Sequence, residues 1–215
     1  MSRWSGNRGA TLIEQLIALV IGSGLILALY SYFRTELYQA LVLETRTATL
    51  EEGRAALDIM VRDLKESGSW GTGSAPAELG GADDPNHDAD TVCNRIYAAS
   101  AGLVHVQMDL NGNGNCADTD PRENIRYELA GATSTCAGPN TIRRNGDCLV
   151  ASVVPHTTGK IFTFYDGNGN DLGSAPAPEA IRRIKIAFGL QVKHPDPVIG
   201  GNLTAALSTS VELRN

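Results

Sequence analysis

Apolar positions fall into three successive patterns along the chain. Residues 10–33 read ATLIEQLIALVIGSGLILALYSYF, and after Glu14 no Asp, Glu, Lys, Arg or His occurs until Arg34. About 20 apolar residues rising 1.5 Å each cross a hydrocarbon core of roughly 30 Å, so this run predicts a membrane-spanning helix. Gly22 and Gly24 weaken a helix in water but are common in membrane helices, where they let neighbours approach closely. Residues 34–67 carry a second pattern. Leu50, Leu57 and Leu64 share a face with Met60 and Val61, while Glu51, Glu52, Arg54, Arg62, Asp63 and Lys65 lie elsewhere. That spacing predicts an amphipathic helix with its apolar side on a globular body. Gly53 is the first candidate breaker, and Gly68 the first strong stop. If unbroken, residues 10–66 make a rod of roughly 85 Å, of which only the first part belongs in lipid.

From residue 68 onward the period changes to two. Between residues 67 and 90 Gly, Ala, Pro and Ser mix with Glu78, Asp83, Asp84, Asp88 and Asp90, without Lys or Arg, which describes a surface loop. Beyond it, Val104, Val106 and Met108 alternate with His105 and Gln107, and Ile125, Tyr127 and Leu129 alternate with Arg126 and Glu128. CLVASVV, KIFTFYD and RIKIAFGLQV follow, the last with Ile184, Ile186, Phe188, Leu190 and Val192 on one side; Val211 and Leu213 alternate near the end. Period-two runs with one polar face predict an antiparallel sheet with its other face on the helix.

Composition narrows the function classes. The chain has 215 residues, 42% apolar and 20% charged, with a formal net charge of −6. That is enough apolar material for a real core, and the acidic balance argues against nucleic acid as a partner, because phosphate binding needs a basic face. Ahead of the apolar run Arg3 and Arg8 are the only charges, which holds that end in the cytoplasm and sends the remainder across the inner membrane. A cleaved secretory signal fits poorly: the run exceeds the usual 7–15-residue core and no small-x-small site follows it. A plain single-pass anchor fits better but leaves Glu14 unexplained, since a carboxylate inside a span is costly without a partner.

Four cysteines, Cys93, Cys116, Cys136 and Cys148, form no C-x-x-C pair, which favours disulfides over zinc in an oxidising compartment. Three pairings are open. Preference goes to Cys136 with Cys148, closing a short hairpin, and Cys93 with Cys116, tying the loop to the sheet. Asp109, Asn111, Asn113 and Asn115, with Gly114 sixth and Asp120 twelfth, have the alternating oxygens of a calcium loop. Asn-Gly repeats are equally the chemistry of plain turns. Asp166, Asn168 and Asn170 repeat the pattern without a suitably spaced downstream acid. No G-x-S-x-G, phosphate-binding loop or H-E-x-x-H occurs, so assembly rather than catalysis is expected, with no required cofactor beyond the candidate Ca²⁺.

Arg8-Gly9 followed by Ala10-Thr11-Leu12-Ile13-Glu14 resembles the type IV prepilin signature, a short basic leader ending in Gly with Glu fifth in the mature chain. Ala10 stands where that family most often has Phe. The resemblance implies that a prepilin peptidase cleaves after Gly9 and methylates the new terminus at Ala10. Glu14 then pairs with the terminal amine of a neighbouring subunit. GRAALDIMVRDLKESGSWG resembles the helix end of PilW-type minor pilins. FTFYDGNGNDL, followed by IRRIKI and the final LRN, resembles the C-terminal half of those proteins and of related pseudopilins. The implied fold is α+β and type IV pilin-like: leader 1–9, membrane and filament-core helix 10–33, amphipathic helix 34–67, and an antiparallel sheet domain 68–215 facing the periplasm and then the cell surface. The implied function is that of a minor pilin that starts or caps a pilus, with other major and minor pilins and an inner-membrane assembly platform as partners. The alternatives are a J-like pseudopilin of type II secretion, or a single-pass periplasmic calcium-binding protein.

Overall fold

The computed structural model describes residues 11–69, 95–112, 120–131, 136, 138, 140–155, 160–196 and 199–213. It is an α+β arrangement of one long N-terminal helix and antiparallel strands. Helix α1 runs over Leu12–Glu66, 55 residues without interruption. Its start is capped by Thr11, whose Oγ1 accepts the Glu14 N–H at 3.3 Å. At its end Gly68 supplies a left-handed residue at φ 73°, and its N–H is held by the Gln107 carbonyl at 3.0 Å.

The strands form two sheets rather than the single sheet that the alternation suggested. In the first, β1 (Ile96–Ser100), β2 (Leu103–Gln107), β3 (Asn124–Ala130), β4 (Thr141–Arg144) and β5 (Asp147–Val150) follow one another in sequence order, each antiparallel to the last. The second holds β6 (Val153–Pro155), β7 (Phe162–Tyr165), β8 (Arg183–Lys193) and β9 (Asn202–Glu212). Here β8 is central. Along one edge β7 pairs with its first half, Phe162 opposite Ile186, and β6 with its second, Val153 opposite Leu190. Along the other edge β9 pairs over the whole length, from Arg183 opposite Glu212 to Lys193 opposite Asn202. Within CLVASVV the chain changes sheets at Ser152, a non-glycine residue at φ 55°. Val150 and Val153 both remain in the core, but on different sheets.

One continuous core joins helix and sheets. Leu57, Met60 and Leu64 of α1 pack with Val104, Val106, Ile125, Tyr127, Ile184, Ile186, Phe188 and Leu190, so the period-two reading of β8 holds. Thr49, Gly53 and Ala56 complete the buried stripe of the helix. Gly53 therefore does not break α1. A Cβ there would lie 2.2 Å from Leu207 Cδ1 and 2.8 Å from Leu190 Cδ1, so glycine lets the helix lie directly on β8 and β9. Gly53→Val is expected to push these apart and destabilise the chain by about 1–3 kcal/mol. Urea unfolding of the detergent-solubilised chain measures this, and adding Leu207→Ala should restore part of the loss.

Candidate functional site

Among the described residues, the apolar segment in the first half of α1 is left open, with none of its most apolar stretch buried inside the molecule. Leu12 is 76% exposed and Ile13 70%, and Leu16, Ile17, Leu19, Val20, Leu25 and Ile26 are likewise open. Exposure on this scale marks a surface made for lipid or for other helices. The helix is long and apolar enough to cross a membrane and is compatible with membrane anchoring.

Glu14 stands in the first turn of this segment, exposed, with its N–H on Thr11 Oγ1. The spacing of Thr11 and Glu14 thus serves helix initiation as well. A carboxylate here also faces the positive end of the helix dipole. Gly9 and Ala10, the candidate processing residues, lie outside the described residues.

At the other end of α1 is a buried polar cluster that sequence reasoning missed. Asp63, expected on the polar side, is only 3% exposed. Its Oδ2 accepts the Tyr127 hydroxyl at 2.6 Å and Arg144 Nε at 2.9 Å. Tyr127 and Arg144 are cross-strand neighbours on β3 and β4, so the pair meets the helix at one point. Burial, then the hydrogen bond to Asp63, pushes the Tyr127 phenol well above its ordinary range, so it stays protonated as a donor. The outer oxygen faces Arg62 at 3.6 Å, whose side chain is largely in solvent. A signal was available: Asp63 falls seven residues after Ala56, on the stripe that faces the sheets. The cluster orients the rod against the strands.

The candidate calcium loop begins after β2. Asp109 is buried, and its Oδ1 accepts the Gly112 N–H at 2.7 Å. Glu123, which the spacing did not single out, is completely buried and accepts the N–H groups of Leu110 at 2.9 Å and Asn111 at 2.7 Å. Asn111 Nδ2 also donates to its other oxygen at 3.1 Å. Asp120 grips Arg122 at 2.8 Å. Its hydrogen bonds to the Arg122 side chain, and next to the Arg122 backbone, hold its carboxyl down to about 2. Asn113 and Asn115 lie outside the described residues. Among the described residues no three His, Cys, Asp or Glu side chains gather at metal-holding distance. In the second loop Asp166 Oδ1 accepts the N–H groups of Asn168 and Asn170, both at 2.8 Å, which is the hydrogen bonding of a turn.

Cys136 and Cys148 are joined, with Cα atoms 5.4 Å apart. Cys93 and Cys116 lie outside the described residues. Comparison with protein-family models, curated proteins and solved structures finds no match to this chain.

Proposed function

We propose that the chain is a type IV prepilin-like subunit of the minor-pilin kind, working by assembly rather than catalysis. One observation carries the reading: a single helix runs unbroken from an unpartnered apolar half into the core of the strand domain. A simple anchor needs no rigid connection between membrane and head. A filament subunit does, because the helix transmits the position of the head to the fibre. The sequence supplies the rest of the support, a basic leader closed by Gly9 with Glu14 five residues on. In this reading the peptidase frees and methylates the Ala10 amine, and a neighbour's Glu14 receives it. Each charge alone is penalised in the membrane, so the pair forms only in register.

The test is the intact mass of the membrane-extracted chain, expressed with and without a prepilin peptidase. The expected outcome is loss of residues 1–9 and gain of one methyl group only when the peptidase is present. An unchanged mass returns the chain to the single-pass anchors. Glu14→Ala adds a second arm: it should insert normally yet fail to enter filaments, whereas an anchor would be indifferent.

A further inference from the structure

The hairpin formed by β8 and β9 does not stop where the strand domain leaves the helix. Gly53 of α1 lies against Leu190 and Leu207. One step toward the N-terminus, Thr45 and Thr49 meet Val192 and Leu203. Further on, Tyr30, Arg34 and Tyr38 face His194, Asp196 and Ile199 across a groove of about 720 Å³. The hairpin therefore runs down the side of the rod, and His194, Asp196 and Ile199 at its end share a groove whose helix wall extends from Leu43 to Tyr30, within the apolar run of residues 10–33.

That level carries the marks of a membrane interface. Tyr30, Tyr32 and Phe33 close the apolar run, and Arg34 is the first basic residue after it. Aromatic rings prefer the headgroup region, and an Arg at a helix end reaches for lipid phosphate. The turn presents Ile199 at 70% exposure, a large apolar side chain aimed away from the core. Its backbone is also prepared for a poorly hydrated site: the His194 N–H is held by the Gly201 carbonyl, and the Gly200 N–H by the Asp196 carbonyl, each at 3.0 Å. The Asp196 N–H is taken by His194 Nδ1 at 3.1 Å. These three satisfied amides lower the cost of leaving water at His194, Asp196 and Gly200. Gly200 at φ 62° and Gly201 at φ 81° allow the chain to turn this tightly.

We propose that the end of the β8–β9 hairpin, at the described residues His194, Asp196 and Ile199, is a second membrane contact, with Ile199 seated in the phospholipid interface beside Tyr30 and Arg34. The inference rests on the reading that residues 10–33 span the bilayer. A second contact fixes the tilt of the whole molecule against the bilayer, which a single span leaves free. Asp196 keeps the turn at headgroup level, since a carboxylate is not carried deeper.

Tryptophan quenching tests this in the full chain, reconstituted at low density into phosphatidylethanolamine–phosphatidylglycerol vesicles. The lipids carry bromine either near the headgroup or near the chain end. Ile199→Trp, Leu27→Trp and Asp147→Trp are each compared with the parent chain, whose own Trp4 and Trp70 give the background. The signal added by Ile199→Trp is expected to fall about twofold with shallow bromine, as for a side chain lodged in the interface. Leu27→Trp should dim most with deep bromine, and Asp147→Trp with neither. If Leu27→Trp is quenched and Ile199→Trp is not, the second contact is overturned and the span stands. Blue-shifted but unquenched Ile199→Trp emission also overturns it, by showing that protein fills the groove. If Leu27→Trp is not quenched, the span and the contact fall together.

Discussion

Replacing Asp63 by alanine is expected to cost about 3–5 kcal/mol, the usual loss when one partner of a buried, hydrogen-bonded charge pair is removed. The variant leaves the Arg144 guanidinium half-covered and the completely buried Tyr127 hydroxyl without its acceptor. Both groups then carry a desolvation penalty that nothing offsets. Arg62 is no substitute, being a solvent-facing cation on the other oxygen, worth little by itself. Tyr127→Phe keeps the ion pair and should cost about 1.5–3 kcal/mol, as for a hydrogen bond to a charged group. The two effects should add to less than their sum, because both remove the same bond. Urea unfolding of the detergent-solubilised chain, followed by near-ultraviolet circular dichroism, measures all three variants. A loss below about 1 kcal/mol for Asp63→Ala, the range of a surface pair, would falsify the view that this cluster fastens the rod to the head.

How far the sequence discloses this molecule depends on whether a feature is local. The apolar run and the stripe of Leu57, Met60 and Leu64 repeat with the helix, and Ile184, Ile186, Phe188 and Leu190 alternate with the strand, so both were readable without a fold. The division into two sheets was not. CLVASVV looks like one strand because its side chains are uniformly suited to a core; only the backbone at Ser152 shows that the chain passes from one sheet to the other. Strands β1, Ile-Tyr-Ala-Ala-Ser, and β4, Thr-Ile-Arg-Arg, lack the alternation of large apolar residues that would reveal a period. Asp63 was misassigned for a different reason. Hydropathy puts a carboxylate outside, and its partners Tyr127 and Arg144 come from strands far along the chain. Gly53 shows the same limit, since propensity reads it as a weak point whereas packing against Leu207 makes it a point of closest approach. At the candidate site, Glu14 was legible from its place in the apolar run. The hairpin turn beside Tyr30 was not, because no local signal says which part of the rod a distant hairpin will lie along.

Removing the bond between Cys136 and Cys148 is expected to cost about 3 kcal/mol, the chain-entropy value for a closed loop of this size. The two residues are separated by 12 positions. Cys136 is buried and Cys148 exposed on β5, the last strand of the first sheet. Shortly after β5 the chain turns at Ser152 into the second sheet, and Gly138 packs so closely there that a Cβ would lie 2.7 Å from the Ser152 nitrogen. The bond thus pins the point at which the chain changes sheets, and its loss should be felt locally first. Cys136→Ser with Cys148→Ser should lower the urea midpoint of the full chain under non-reducing conditions. Amide exchange should quicken in β4 and β5 while β8 and β9, paired along their whole length, keep their protection. Faster exchange spread evenly over both sheets would instead mean that the bond acts on the unfolded chain alone. A local effect also bears on the proposed life of the protein. Disulfides persist where the surroundings are oxidising, so a bond at the sheet crossing agrees with the proposed export of the head.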